Sequence, residues 1–277
     1  MALRPLPKLI GVIHLPSLAG TPEGEGQSLS ASAQLERAGW VAIREAKLLA
    51  QAGFEGIILE NFGDTPFYKT SVPPETIASM AIIAAAVREV VRVPIGINIL
   101  RNDARSALGV AAVTGCSFIR VNVLTGVVAT DQGLIEGDAA SLLREKARLA
   151  PGISILADVH VKHARTLSSD DIAIAIEDTT LRARADGVIL TGSTTGRAVD
   201  LAILDRAWEA AKFCKKPLYI GSGANLENLS ELKKRSSGII VGSFLRQGGK
   251  AGAPLDPKRI KAFVKAYRLR NAKKKKK

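Results

Sequence analysis

A polar face runs along one otherwise apolar stretch of this sequence. Residues 117–126 read SFIRVNVLTG, and Arg120 and Asn122 alternate there with isoleucine and valine. Because side chains alternate across a β-strand, the pattern predicts a strand with one apolar face and one face carrying a guanidinium and an amide. These groups can orient hydroxyl groups or stabilise negative charge that develops on a substrate.

The same alternation puts polar side chains on one face of other predicted strands. In GIILEN, GINIL and ILADVHVKH the polar face carries carboxylates, an amide, a histidine and a lysine. Acids and bases that lie close together can transfer protons, and a lysine can form a Schiff base. We therefore expect four catalytic residues: Asp158, Lys162, Glu60 and His14. We expect the substrate to be bound by Asn98, Arg101, Asn102, Arg120, Asn122, His160, Thr191 and Gly192.

Other interpretations of these residues stay open at this stage. An architectural ion-pair network would also place charged side chains on one face of the strands. Lys162 could be a surface lysine just past its strand, and His14 and His160 could each be structural histidines.

Two glycine loops follow the last two predicted strands and are suited to an anion. They read IGSGAN and VGSFLR, and glycine lets backbone N–H groups approach a phosphate closely. The start of the following helix would add a favourable dipole. We expect phosphate to be bound by Gly221, Ser222, Gly223, Gly242 and Ser243. The alternative is that these glycines only make tight turns.

The sequence gives no specific sign of a metal or cofactor. Glu60 and Asp64 lie close together in ENFGDTPF and could hold a divalent ion, but their spacing is not specific for one. Cys116 and Cys214 are far apart and lack the spacing of a zinc or redox motif. No cofactor is predicted.

The elements that must position these residues form a repeated strand and helix pattern. Apolar runs at 9–15, 56–61, 94–100, 118–123, 154–160, 187–192, 217–223 and 238–244 predict eight strands. Helical periodicity between and after them predicts helices at 34–53, 73–91, 103–115, 138–150, 171–185, 200–213, 225–235 and 256–270. This is the pattern of a (β/α)8 TIM barrel, a single domain over residues 1–270. A doubly wound α/β fold is the alternative, but the chain has no GxGxxG fingerprint after an early strand.

Charge and hydropathy narrow the class of protein. The chain has 277 residues, 47% of them hydrophobic, and a net charge of +13, of which Arg268, Arg270 and the five residues from Lys273 to Lys277 supply seven. We expect the lysine-rich tail, 271–277, to be disordered. Without aromatic residues interleaved with the basic ones, no specific nucleic acid partner is predicted. No apolar run approaches the ~20 residues of a membrane span, and we expect a cytoplasmic protein.

Two further segments have expected roles. The loop at 16–33 is long enough to be mobile and to cover the site, and the very apolar helix at 77–87 favours a homo-oligomer.

Several long stretches resemble a known family. The sequences GVIHLPSLAGTP, ENFGDTPF, GINILRNDARSAL, FIRVNVLTGVVATDQGLIEG, LADVHVKHA, TGSTTG and IGSGANLENL together resemble the BtpA/SgcQ family of predicted TIM-barrel proteins, over residues 8 to 265. The resemblance implies a TIM barrel related to phosphate-binding barrels. The family is named for a role in photosystem I biogenesis in cyanobacteria, and other members are grouped with predicted sugar-metabolism enzymes.

Two functions are therefore expected from the residues and the resemblance together. The first is an enzyme that acts on a small phosphorylated substrate, sugar-like or nucleoside-derived, by isomerase or lyase acid/base chemistry. The alternative is a noncatalytic assembly or stability factor for a larger complex such as photosystem I.

Overall fold

Eight parallel strands close into a barrel in the computed structural model, which describes residues 5–22, 28–160, 164–168, 170–192 and 200–269. In chain order the strands are β1 (Leu9–His14), β2 (Gly56–Glu60), β3 (Ile95–Asn98), β4 (Phe118–Val121), β5 (Val127–Thr130), β6 (Gly133–Glu136), β7 (Ser154–Val159), β8 (Ala164–Thr166), β9 (Gly187–Leu190), β10 (Leu218–Ile220) and β11 (Gly238–Val241). The order around the barrel is β1-β2-β3-β4-β7-β9-β10-β11, and β11 pairs with β1 to close it. The predicted TIM barrel is confirmed.

A helix layer surrounds the barrel. The helices are α1 (Ala31–Ala52), α2 (Pro74–Val90), α3 (Ala104–Thr114), α4 (Ala139–Leu149), α5 (Ile172–Glu177), α6 (Leu201–Phe213), α7 (Leu229–Lys234) and α8 (Pro257–Arg268). Aspartate side chains cap five of them by accepting backbone N–H groups of the first turn: Asp103, Asp138, Asp171, Asp200 and Asp256. None of the described helices combines the length and apolar character needed to cross a lipid bilayer.

A small antiparallel sheet beside the barrel was not predicted. β5 pairs with β6 through a tight turn and with β8 on its other edge, in the order β6-β5-β8. β5 and β6 follow β4, and β8 follows β7, so the sheet is connected to the C-terminal ends of both barrel strands. The three strands read VVAT, GLIE and ART and lie outside the longer apolar runs that predicted the barrel strands, which explains the omission.

The barrel interior has an apolar layer below a polar one. The apolar layer consists of Ile10, Val12, Ile58, Phe118, Leu156, Ile189, Tyr219 and Ile240. Gly96 makes room for the Phe118 ring, which a Cβ at that position would overlap. Arg120, Asn122 and Asp158 follow Phe118 and Leu156 at even spacing on the same strands, so their side chains also enter the barrel, as the alternation predicts.

A buried ion pair connects the chain after β11 to α1. Arg246 is 1% exposed and donates from both terminal nitrogens to the Glu45 carboxylate, at 3.2 and 3.1 Å. It also donates to the carbonyl oxygens of Val12 and Ala253. Burial raises the pKa of Glu45 and lowers the pKa of Arg246, although each charge partly offsets this for the other. The pair therefore fixes the position of the glycine loop after β11 at an energetic cost.

Breaking this pair from one side is expected to destabilise the protein. Glu45→Leu leaves a buried unpaired guanidinium, and Arg246→Met leaves a buried unpaired carboxylate, so each should lower the free energy of unfolding by about 3 kcal/mol or more. The loss in the double variant should be smaller than the sum of the two single losses, by at least about 1 kcal/mol. Urea unfolding measures the free energy of unfolding of all three variants. Glu209→Gln breaks the exposed ion pair with Lys212 and is the control, which should lose less than about 1 kcal/mol. Additive losses would contradict the pairing.

The close packing at Gly96 gives a second prediction. Gly96→Ala forces a methyl group against Phe118 and should cost about 1–3 kcal/mol of unfolding free energy. Gly109→Ala is the matched control, because Gly109 lies inside α3 with no atom within 4 Å of its Cβ position. That change should be neutral or stabilise by up to about 1 kcal/mol. Equal effects in the two variants would show that the Phe118 contact is not constraining.

Candidate active site

A bidentate ion pair lies at the centre of the barrel mouth. Arg120 donates from Nε to Asp158 Oδ1 at 3.0 Å and from Nη2 to Oδ2 at 2.9 Å. Asn122 Nδ2 donates to the same Oδ2 at 2.9 Å. Arg120 is 3% exposed and the Asp158 side chain is fully buried. Burial by itself would lower the pKa of Arg120, but the charges of Asp158 and Glu60 outweigh it, so the pKa of this guanidinium is raised.

Glu60 lies against the other side of Arg120. Its Oε2 accepts from Asn98 Nδ2 at 2.7 Å and lies 3.7 Å from Arg120 Nη1. Within the described part of the chain, the other oxygen, Oε1, has no hydrogen-bond partner. Glu60 is therefore a buried carboxylate held from one side, with one oxygen available to a substrate.

His14 is oriented by contacts that its own strand does not provide. Its ring stacks on Phe62, with centroids 4.3 Å apart, and its Nδ1 accepts the backbone N–H of Gly252 at 3.1 Å. Because Nδ1 is the acceptor, the neutral ring carries its proton on Nε2. A Cβ at Gly242 would lie 3.1 Å from Nε2, so this N–H lies beside the loop after β11.

The two glycine loops form the wall of one cleft at the barrel mouth. The cleft is lined by the five predicted phosphate-binding residues, Gly221, Ser222, Gly223, Gly242 and Ser243, together with His14, Glu60 and Arg120. Gly223 has φ of 73°, which favours glycine. A Cβ at Gly221 would overlap the Ile189 side chain and lie 3.7 Å from Arg120 Nη2. Glycine therefore allows the loop after β10 to pack closely against β9 and to make the left-handed turn that shapes this cleft.

The elements that follow these two loops differ from the helices that the sequence predicted there. α7 begins only at Leu229, because Asn225 and Asn228 close a turn between it and Gly223. The loop after β11 enters a short 3-10 turn, Ser243–Leu245, instead of an α-helix.

The remaining predicted substrate-binding residues differ in their placement. Arg101 is 6% exposed; burial lowers its pKa, and the charge of Asp158 partly restores it. The Asn102 amide is fully engaged with the backbone of Val123, donating to its oxygen and accepting from its nitrogen. Thr191 donates to the carbonyl oxygen of His160 and is followed by buried Gly192. Asn102 thus holds two loops together, whereas Arg101 is electrostatically coupled to the central ion pair.

Several predictions lie partly or wholly outside the described residues. They concern Lys162, most of the TGSTTG loop, residues 23–27 of the first loop, and the tail at 271–277. The described part of the first loop is tied down, because Leu18 N–H and Thr21 Oγ1 donate to Asp64 Oδ1.

The Asp64 carboxylate accepts hydrogen bonds from loop residues and does not form a site together with Glu60. Its second oxygen accepts from Asn61 Nδ2 at 3.0 Å, and Asn61 Oδ1 accepts from the backbone of Leu100. Burial raises the pKa of Asp64, and three hydrogen bonds partly offset this. Across the described ranges, no group of three or more His, Cys, Asp or Glu side chains is placed to hold a metal ion.

Sequence reasoning missed the residues that orient the site from elsewhere in the chain. Phe62 and Gly252 position His14, and the contact to Gly252 spans 238 residues. Phe62 follows the Glu60 strand directly and could have been suspected from that position. Gly252 gives no local signal.

Solved structures that resemble this fold include two barrels of similar size. One is 3-hexulose-6-phosphate synthase, with a TM-score of 0.57 and 14% identity, covering 94% of this chain and 99% of that one. The other is N-(5'-phosphoribosyl)anthranilate isomerase from Pyrococcus furiosus, with a TM-score of 0.55 and 14% identity, covering 94% and 98%. At this identity the likeness shows the fold alone.

Sequence similarity identifies a narrower group. The chain is 46% identical over 258 residues to the photosystem I biogenesis protein BtpA of Synechocystis, covering 93% of this chain and 87% of the relative. The sequence profile of the BtpA family matches residues 6–268. The barrel with this polar mouth therefore belongs to the BtpA family.

Proposed function

We propose that the protein is an enzyme acting on a small phosphorylated substrate, sugar-like or nucleoside-derived, by isomerase or lyase acid/base chemistry. One observation carries the proposal: a single cleft contains two glycine loops, the cation Arg120, the donor His14 and a carboxylate with an available oxygen, Glu60. A phosphate cradle beside a proton acceptor is what such chemistry requires.

The phosphate is proposed to lie between Gly221–Gly223 and Gly242–Ser243. Glycine at these positions leaves the backbone open to an anion, and the Ser222 and Ser243 hydroxyls line the same cleft. His14 Nε2–H and the raised pKa of Arg120 add a donor and a permanent positive charge.

The proposed chemistry starts with proton removal by Glu60. A proton taken from a carbon next to a carbonyl leaves an enolate, and Arg120 with Asn98 would stabilise its negative charge. If that carbon carries a hydroxyl group, moving the hydroxyl proton to the enolate oxygen and returning the abstracted proton to the former carbonyl carbon gives isomerisation. If a base instead removes the proton of a hydroxyl one carbon further away, the carbon–carbon bond breaks, that carbon leaves as a carbonyl compound and the same enolate remains, which is a lyase reaction. Both oxygens of Asp158 accept from Arg120, so we assign Asp158 the orientation of that guanidinium. Lys162 stays a predicted acid or Schiff-base residue.

The structural neighbours agree with this proposal in one respect. A synthase of 3-hexulose-6-phosphate and an isomerase of N-(5'-phosphoribosyl)anthranilate are both named for phosphorylated sugar compounds. Phosphate binding by the loops after the last two strands is common in TIM barrels.

Phosphorylated ligands are expected to stabilise the protein against heat. A ligand at 100 times its dissociation constant should add about 2.7 kcal/mol, a shift of a few degrees for this size. A thermal-shift screen with phosphate, sulfate and phosphorylated sugars and nucleosides measures it. His14→Phe, which keeps a ring against Phe62, should weaken binding about 10-fold or more, and Ser222→Ala about 5-fold, because each removes a donor to the anion. Ser106→Ala, at a half-buried position on α3 outside the cleft, should bind as the wild type does. Failure of every phosphorylated compound to bind would contradict the proposal.

Glu60→Gln is expected to separate catalysis from binding. The amide can keep the contact with Asn98 but cannot take up a proton, so phosphate affinity should stay within about 3-fold of wild type. Compounds that bind would be incubated with protein in deuterated water and followed by NMR. Wild type should introduce deuterium next to the carbonyl, and Glu60→Gln should slow this at least about 100-fold. Equal exchange rates would exclude Glu60 as the base.

A noncatalytic assembly role is the second candidate, favoured by the similarity to the Synechocystis photosystem I biogenesis protein. The two candidates differ in what the barrel mouth must do. Expressing this chain or its Glu60→Gln variant in Synechocystis that lacks its own BtpA, and measuring photosystem I, distinguishes them. Recovery with both proteins would favour assembly, and recovery with wild type alone would favour catalysis.

Homo-oligomerisation remains part of the proposal. Ile82 on α2 is 55% exposed within the apolar segment from which we expected an interface. Light scattering on the purified chain measures the mass, and Ile82→Lys should shift it to the monomer. A monomeric wild type would contradict this part.

A further inference from the structure

A second cavity opens at the barrel mouth beside β4 and β7, whereas the phosphate cleft lies beside β1, β10 and β11. Asn122 and Asp158 form its inner wall, and Val128 of the small β6-β5-β8 sheet and Ala175 of α5 lie on its outer side. We call this cavity the β4–β7 chamber. It shares the central ion pair with the phosphate cleft, since Asp158 lines the chamber and its partner Arg120 lines the cleft.

The chamber contains one buried acceptor without a donor. Asn122 is 3% exposed, and its Oδ1 has no hydrogen-bond partner in the part of the chain that the structure describes. The orientation of the amide is settled, because a carboxylate only accepts and Asn122 must therefore direct Nδ2 to Asp158 Oδ2. A buried acceptor left unpaired costs free energy, which a ligand donor at this position would recover.

The rest of the chamber wall is rich in hydroxyl groups. Thr125 and Thr179 form a hydroxyl pair at 3.0 Å that joins the loop after β4 to the π-helical turn that follows α5. Thr166 and Ser168 contribute further hydroxyls from β8 and its loop, and Val123 and Val159 supply apolar contacts. Hydroxyls both donate and accept, so the wall suits a ligand whose groups do the same.

We infer that the β4–β7 chamber is a subsite for the polyhydroxyl end of the substrate, with Asn122 Oδ1 accepting a hydrogen bond from one of its hydroxyl groups. The inference rests on the proposed function, because it places the phosphate in the neighbouring cleft. The substrate then spans the ion pair, with its phosphate on the Arg120 side and its hydroxyl groups on the Asn122 side. The reacting carbon lies between them, near Glu60.

Matched ligands of equal chain length test the subsite directly. Dissociation constants of ribitol 5-phosphate, pentyl phosphate, 5-aminopentyl phosphate and inorganic phosphate would be measured by calorimetry on the full chain. Wild type should bind ribitol 5-phosphate at least about 10-fold more tightly than pentyl phosphate, because the hydroxyls find partners in the chamber. A stronger preference for 5-aminopentyl phosphate, or no preference at all, would overturn the inference.

Two variants locate this preference in the chamber. Asn122→Ala removes the acceptor, and Ala175→Leu fills the chamber from a half-buried position on α5 while leaving Asn122 and Asp158 in place. Both should reduce the ribitol preference to less than about 3-fold, and Ala175→Leu should leave the affinity for inorganic phosphate unchanged. Ala202→Leu, exposed on α6, is the control and should retain the full preference. If Ala175→Leu also retains it, the hydroxyls are recognised elsewhere.

The two proposals fail in different ways. Phosphate binding that Ser222→Ala weakens, together with a ribitol preference that the chamber variants leave intact, would overturn the subsite and keep the phosphate cleft. Failure of wild type to bind any of these phosphates would overturn both.

Discussion

The buried pair of Arg120 and Asp158 is the interaction on which the barrel mouth depends. Taking a guanidinium and a carboxylate out of water costs several kcal/mol for each ion, and the cost is recovered only with good geometry and further hydrogen bonds. Here the geometry is bidentate, and Asn122 and Glu60 add partners on either side. Asn98 in turn holds Glu60. The polar side chains of four neighbouring strands thus form one set, since each of them supplies a hydrogen bond or a charge to another buried member.

The same pair divides the mouth into two regions with different chemistry. On the Arg120 side, glycine loops and His14 present donors, which suits an anion. On the Asn122 side, an unpaired acceptor and several hydroxyls suit a neutral polar group. A carboxylate with an available oxygen lies on the anion side, close to the boundary. An anion site, a base beside it and a site for hydroxyl groups therefore follow one another across the barrel mouth. A reaction on a phosphorylated polyhydroxyl compound would require this order.

The part of this arrangement that the sequence predicted depends on local periodicity. Alternation along SFIRVNV and ILADV was enough to predict that Arg120, Asn122 and Asp158 enter the barrel, because backbone geometry fixes the strand period of two. Local periodicity could not predict contacts between distant segments of the chain. Nothing near Gly252 indicates that its N–H orients His14, and nothing near Asn102 indicates that its amide is taken by the backbone of Val123. The three short strands of the small sheet and the late start of α7 were missed for the related reason that turns, and not periodicity, determine them.

A crystal structure of the protein soaked with ribitol 5-phosphate tests the central claim most directly, since both ends of the ligand would be located in one experiment. The account predicts phosphate density between Gly221–Gly223 and Gly242–Ser243, with a ligand hydroxyl within hydrogen-bond distance of Asn122 Oδ1. A phosphate bound outside the barrel mouth, or an empty mouth at saturating ligand, would contradict it.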